Sequence, residues 1–205
     1  MKRSLSSLVA MLALCAAGLA QAQAVVGQPA PAFSATDTAG RPVSLAAFQG
    51  KYVVMEWLNP GCPFVRKHYE SGNMPATQKS ATARGVVWLS VNSTSKDAGD
   101  YRAPAELAAW QQAEHAAPTA TLMDADGKIG RAYGARTTPH LYIVDPQGKL
   151  IYAGAIDSKP TANSADIATA TNYVNQALAE ALAGKPLSKA TSQPYGCSVK
   201  YSSSG

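Results

Sequence analysis

The sequence predicts an α/β domain with a central mixed β-sheet flanked by helices, and three observations carry that reading. Two runs, Tyr52-Val53-Val54-Met55-Glu56-Trp57 and Val86-Val87-Trp88-Leu89-Ser90-Val91, are nearly continuous in apolar and β-forming residues and read as buried central strands. The strands His140 to Val144 and Leu150 to Ala153 flank the turn Asp145-Pro146-Gln147-Gly148, so they form an antiparallel hairpin. The order strand, helix, strand, helix, hairpin, helix then mixes parallel and antiparallel neighbours.

The elements follow in turn. Phe33 to Thr36 is a short strand, Asp37 to Arg41 a turn around Gly40, and Val43 to Phe48 a second short element stopped by Gly50. After the Tyr52 strand a helix begins near Cys62 or Pro63, because proline is well placed in a first turn where its missing N–H would be unpaired anyway. Gly72 and Pro75 interrupt this helix before it resumes to about Arg84. The Val86 strand is followed by a polar loop, Asn92 to Asp100, and by a helix from Pro104 to about Ala116. Thr121-Leu122-Met123 is a short strand, and Ile129 to Tyr133 a short helix ended by Gly134. After the hairpin, Ala165 to Ala183 is expected as one long amphipathic helix with Ile167, Tyr173, Val174, Leu178 and Leu182 inward; Gly184 and Pro186 end it.

The chain opens with Lys2 and Arg3, an apolar run from Leu8 to Ala20, and Ala22-Gln23-Ala24, the order of a secretory leader cleaved after Ala24. The run is short for a membrane span, which needs roughly 20 residues. Cys15 raises lipidation as an alternative, but Leu14 stands where a lipoprotein site wants a small residue. Cleavage leaves 181 residues and a net charge of +3 instead of +5. The expected divisions are a leader at 1–24, one domain at 25–184 and a flexible serine- and glycine-rich tail at 185–205. No basic run or aromatic cluster points to nucleic acid, and no later segment is apolar enough to span a membrane. The expected location is periplasmic or secreted.

Cleavage discards Cys15 and leaves Cys62 and Cys197, a pair by default in an oxidising compartment. Cys62 follows a buried strand and opens a helix, where unpaired N–H groups and the helix dipole favour a thiolate, the nucleophile of disulfide exchange and peroxide reduction. Arg66 and Lys67 stand about one turn along and add positive potential. Glu56 precedes Cys62 by six positions. Pointing inward, it is a buried carboxylate with a raised pKa, able to exchange a proton with the sulfur; strand alternation offers a solvated edge as the other reading. Thr138-Pro139, at a strand entry, is a bond that can be cis and that would present backbone groups to an incoming peptide or thiol. Cys197 lies 135 positions after Cys62. As a permanent partner it would close a loop contributing roughly 4–5 kcal/mol in the chain-entropy model; on a mobile tail it is a resolving thiol. Both readings stand on the same two residues.

His68, His115 and His140 show no metal-ligand spacing. Asp124-Ala125-Asp126-Gly127 lacks the terminal acidic ligand of a calcium loop and reads as a polar turn. Asn92-Ser93-Thr94 fits a glycosylation sequon, which carries little weight in a chain of bacterial character.

Three features resemble the thioredoxin-like superfamily, and within it the peroxiredoxin-like branch of the alkyl hydroperoxide reductase / thiol-specific antioxidant type. They are Asn59-Pro60-Gly61-Cys62-Pro63-Phe64-Val65, Thr138-Pro139 and Val144-Asp145-Pro146-Gln147-Gly148-Lys149, spanning about residues 25 to 157. The ending Gly196-Cys197-Ser198-Val199-Lys200 is also similar to tails in that branch. The resemblance implies a thioredoxin-like fold and thiol–disulfide exchange, with Cys62 as nucleophile, Cys197 as its distant partner, and Thr138, Pro139, Pro63 and Phe64 beside the substrate. No cofactor is implied. The implied partners are protein or small-molecule disulfides and thiols, with peroxides as an alternative.

The departures from the pattern are specific. Val65 stands where thioredoxins carry a second cysteine, and Asn59 where some members of the branch carry one. Met55 and Asn59 replace the proline and hydroxyl residue of P-x-x-x-[ST]-x-x-C, the motif with which peroxiredoxins align peroxide. The sequence thus supports an exported thiol–disulfide oxidoreductase first, a weak peroxidase second, and a non-catalytic binding module with a structural disulfide third.

Overall fold

The computed structural model describes residues 23–203. The expected leader, apart from Gln23 and Ala24, lies outside the described residues. The elements are β1 (Ser34–Asp37), β2 (Pro42–Ser44), β3 (Val53–Trp57), α1 (Pro63–Glu70), α2 (Asn73–Ala83), β4 (Val87–Asn92), α3 (Pro104–Ala113), β5 (Ala120–Met123), α4 (Lys128–Tyr133), β6 (Thr137–Thr138), β7 (His140–Val144), β8 (Leu150–Gly154), α5 (Tyr173–Leu182) and β9 (Cys197–Ser198).

Seven strands form one sheet in the order β2-β1-β5-β4-β3-β7-β8. The β3/β4 and β4/β5 pairs are parallel, while β3/β7 and β7/β8 are antiparallel, as the hairpin requires. Alternation along β3 divides the core. Val54 and Leu58 face the layer built by Val65, Tyr69, Met74, Leu107, Val174 and Leu178. Val53, Met55 and Trp57 face the other, with Ile129 and Tyr133 from α4. A strand covered on both faces has no wet side, which is why β3 reads as a continuous apolar run. Each large apolar side chain buried there stabilises the fold by about 1.5–3 kcal/mol.

Gly72 breaks the first helix in a left-handed conformation (φ 74°), and Pro75 falls in the first turn of α2, where proline is tolerated. The long helix expected over 165–183 is instead two pieces. A 3-10 turn covers Ser164–Thr169, Ala170 is extended, and Asn172 caps α5 by accepting from the Asn175 N–H at 2.9 Å. Asparagine is among the strongest N-caps, and here it overrides the amphipathic pattern upstream. Leu182 is correspondingly 40% exposed rather than a core residue, and Ile167 and Tyr173 are half-buried.

The serine- and glycine-rich end runs along the domain through its described residues. At the edge of β8 the Ala153 N–H donates to Ala190 O and the Ser192 N–H to Ala153 O, both at 3.2 Å, and β9 forms a two-stranded antiparallel sheet with β6. Farther on, the Ser95 N–H donates to Lys200 O at 2.7 Å and the Val199 N–H to Arg136 O at 3.0 Å.

Candidate functional site

The loop between β3 and α1 is tied by Asn59. Its side-chain oxygen accepts from the Gly61 N–H at 2.7 Å, and its amide donates to Asp100 Oδ2 at 2.8 Å and to Thr94 Oγ1 at 3.3 Å. A side chain at Gly61 would press on Asn59 and Asp100, so glycine suits that position. The loop delivers Cys62 as the N-cap residue of α1, with Pro63 in the first turn.

The thiol does not cap the helix. Its Sγ donates instead to the carbonyl of Thr138 at 2.9 Å, and the residue is only 2% exposed. Thr138 is followed by Pro139 through a cis peptide bond. Opposite Thr138, across the β6–β9 pair, sits Cys197. Cys62 and Cys197 are both free thiols, and the two interact electrostatically. The Cys197 thiol is pushed up to about 11, first by burial and then by the neighbouring Cys62, against an opposing effect of Lys200. The hydroxyl of Thr138 is buried between these elements without a hydrogen-bond partner.

Thr138, Pro139, Cys62 and Cys197 thus lie together. Pro63 is exposed at the helix start, and the Phe64 ring meets Tyr195 edge-on at 5.8 Å, so the tail lies against Phe64. Arg66 turns outward and pairs with Glu70 at 2.8 Å, which directs its charge away from the sulfur.

Glu56 shares the inner face of β3 with Val54 and is fully buried, not at a solvated edge. Tyr69 Oη donates to Oε1 at 2.8 Å; Trp88 Nε1, Gln78 Nε2 and Ser90 Oγ donate to Oε2 at 2.8, 3.0 and 3.4 Å. Burial raises its pKa, and these hydrogen bonds oppose the rise. Cys62 is not among its hydrogen-bond partners, which come from α1, α2 and β4.

A second buried polar group escapes sequence reasoning. Tyr195 Oη donates to Asp157 Oδ1 at 2.5 Å, and His68 Nε2 lies 3.1 Å from the same hydroxyl. Asn73 Nδ2 can only donate, so His68 Nδ1 at 2.8 Å accepts and Nε2 carries the proton toward Tyr195. Lys67, also buried, donates to Lys159 O at 3.0 Å and reaches Asp157 Oδ2 at 3.7 Å. His68 is lowered to about 4, by burial first and by Lys67, against the pull of Asp157. The clue in the sequence is weak: a tyrosine two positions before Cys197, and a Lys-His pair on the helix that Cys62 opens.

His140 is buried as well and is lowered to about 3, by burial first and then by Arg136. Asp124 caps α4, accepting from the N–H groups of Ile129 and Gly130 at 3.0 and 2.8 Å. Among the described residues no group of three or more His, Cys, Asp or Glu could hold a metal ion.

Comparison with solved structures bears on the fold. A crystal structure of an uncharacterised conserved protein from Geobacillus kaustophilus superposes with a TM-score of 0.74 at 24% identity, covering 88% of this chain and 94% of that one. A hypothetical protein from Sinorhizobium meliloti 1021 gives 0.74 at 23% identity, covering 87% and 96%. A candidate thiol:disulfide interchange protein DsbE from Chlorobium tepidum gives 0.53 at 21% identity, covering 64% and 85%. The fold is thioredoxin-like. Comparison with curated proteins finds no match. The AhpC/TSA family model matches residues 26–153, and the chain belongs to that family.

Proposed function

We propose that the protein is an exported thiol–disulfide oxidoreductase of the cell envelope, with Cys62 as nucleophile and Cys197 as resolving thiol. The observation that carries this reading is the meeting of the two thiols at Thr138, one bonded to its carbonyl and the other paired across from it. Cys62, as thiolate, attacks a substrate disulfide; a Cys62–substrate disulfide forms and one substrate thiolate leaves. Cys197 then loses its proton and attacks the Cys62 sulfur. A Cys62–Cys197 disulfide forms and the second substrate thiolate departs. The substrate gains two electrons and the protein loses two, to be restored by an external dithiol. The leader pattern supports export; no described helix is long and apolar enough to cross a membrane.

The site supports disulfides over peroxides. The sulfur faces a carbonyl acceptor, and Asn59 is engaged with Gly61, Thr94 and Asp100. Peroxide consumption is therefore expected to be no faster than that of free cysteine.

The test is to expose the reduced mature protein to glutathione disulfide and weigh the products. The native chain is expected to yield a Cys62–Cys197 disulfide, and Cys197→Ser to accumulate glutathione on Cys62. A Cys197→Ser chain that stays unmodified would sink the assignment.

A further inference from the structure

The edge of β6 beside Cys62 is already occupied by the chain's own β9, with Thr138 opposite Cys197 and Thr137 opposite Ser198. The fit is close. A side chain at Gly196, whose φ is 130°, would collide with the Thr138 carbonyl, so the strap can lie at this distance only with glycine there. Anchors hold it on both sides. Before Cys197, Tyr195 is bonded to Asp157 and His68 and its ring lies edge-on to Phe64. After it, Tyr201 Oη donates to Ala135 O at 2.8 Å, and the Arg131 guanidinium lies 4.7 Å from the Tyr201 ring. Beneath this strap Cys62 is 2% exposed.

An extended peptide disulfide docks by adding backbone hydrogen bonds to a free strand edge. Here that edge is taken. A small disulfide needs no strand edge, only a brief opening at the 2% exposed Cys62 wide enough for one sulfur. We propose that residues 195–201 act as a specificity strap, restricting Cys62 to small-molecule disulfides while they are docked and admitting protein disulfides only when they lift. This rests on Cys62 being the nucleophile. The step is the first exchange alone: Cys62 thiolate attacks R–S–S–R, the Cys62–S–R bond forms, the S–S bond breaks, and RS⁻ leaves with the electron pair.

The experiment reads that step in a Cys197→Ser background, by the mass of Cys62 adducts formed with hydroxyethyl disulfide and with insulin. Tyr195→Phe removes one anchor by a single hydroxyl, and Gly196→Ala forces the strap off Thr138 without touching the core; thermal unfolding confirms that each is folded. In either variant the insulin rate is expected to rise tenfold or more, and the hydroxyethyl disulfide rate to stay within threefold. An insulin rate equal to that of the parent would overturn the proposal. So would an equal rise with both probes, which would mean general exposure instead of selection by size. If neither probe modifies Cys62 in any chain, the nucleophile assignment itself is wrong and the strap proposal falls with it.

Discussion

Two buried carboxylates lie beneath the helix that Cys62 opens, and they are held in different ways. Glu56 takes four hydrogen bonds from Tyr69, Gln78, Trp88 and Ser90, all neutral and all on α1, α2 and β4. Asp157 has charged or chargeable neighbours, Lys67 and His68, at 3.7 and 3.8 Å from an Oδ2 that has no hydrogen-bond partner. Its shortest bond comes from Tyr195, on the segment that carries Cys197. The first is a filled knot inside the core. The second keeps slack and clasps the segment that carries Cys197, which under the proposed resolving role has to move. On that proposal, polar groups of similar burial serve rigidity in one place and reversible attachment in the other.

The largest expected effect breaks the knot. Glu56→Ala leaves the Trp88 and Tyr69 donors buried without their acceptor, with Gln78 Nε2 keeping only Tyr69 Oη, and is expected to cost about 3–5 kcal/mol in urea unfolding. A loss below 1 kcal/mol would mean that water replaces the carboxylate freely.

The two clusters also predict opposite pH dependences. The folded pKa of Glu56 lies above its usual 4.5, so its contribution is full below that pH. It declines as pH rises toward the folded value, because the unfolded chain releases its proton first. His68 is lowered from 6.5 to about 4. Its contribution is full above 6.5 and is lost as pH falls from there through 4, an effect on the order of 3 kcal/mol. Glu56→Gln is expected to flatten only the decline with rising pH, and His68→Asn to reduce only the decline with falling pH. Unfolding profiles that match the parent in both variants would refute the assignment.

Smaller effects sharpen the contrast. Tyr195→Phe leaves His68 Nε2 without its partner and Asp157 Oδ1 with the Lys159 N–H alone, and is expected to cost about 1–3 kcal/mol. Hydrogen exchange should then speed up in residues 195–201 before it does in β3; uniform acceleration would contradict the clasp. Ser90→Ala removes only the longest bond to Glu56, 3.4 Å, and is expected to cost about 0.5 kcal/mol.

Much of this was legible in the sequence, and the limits are physical. The two central strands and the hairpin announce themselves because burial on both faces demands unbroken apolar runs and tight turns demand Pro and Gly. Cys62 is equally plain, since a strand–glycine–cysteine–proline sequence can hardly avoid opening a helix. The inward turn of Glu56 needs knowledge that β3 is covered on both faces, which its own residues do not supply. Long-range polar contacts leave no periodic trace. His68 and Asp157 are 89 positions apart in sequence, and Tyr195 another 38 beyond Asp157. A composition rich in serine and glycine suggests a loose end, whereas two tyrosines and one glycine set its path.

The pairing of Thr138 with Cys197 also has a consequence for synthesis and turnover. The second thiol follows its strand partner by 59 positions. A chain emerging from its N-terminus therefore completes the seven-stranded sheet well before Cys197 arrives. On the proposed roles of the two cysteines, a copy clipped between residues 185 and 196 would leave Cys62 uncovered and without Cys197 to resolve what it captures. Such nicked molecules would collect glutathione or cross-link to neighbours, marking them chemically as incomplete.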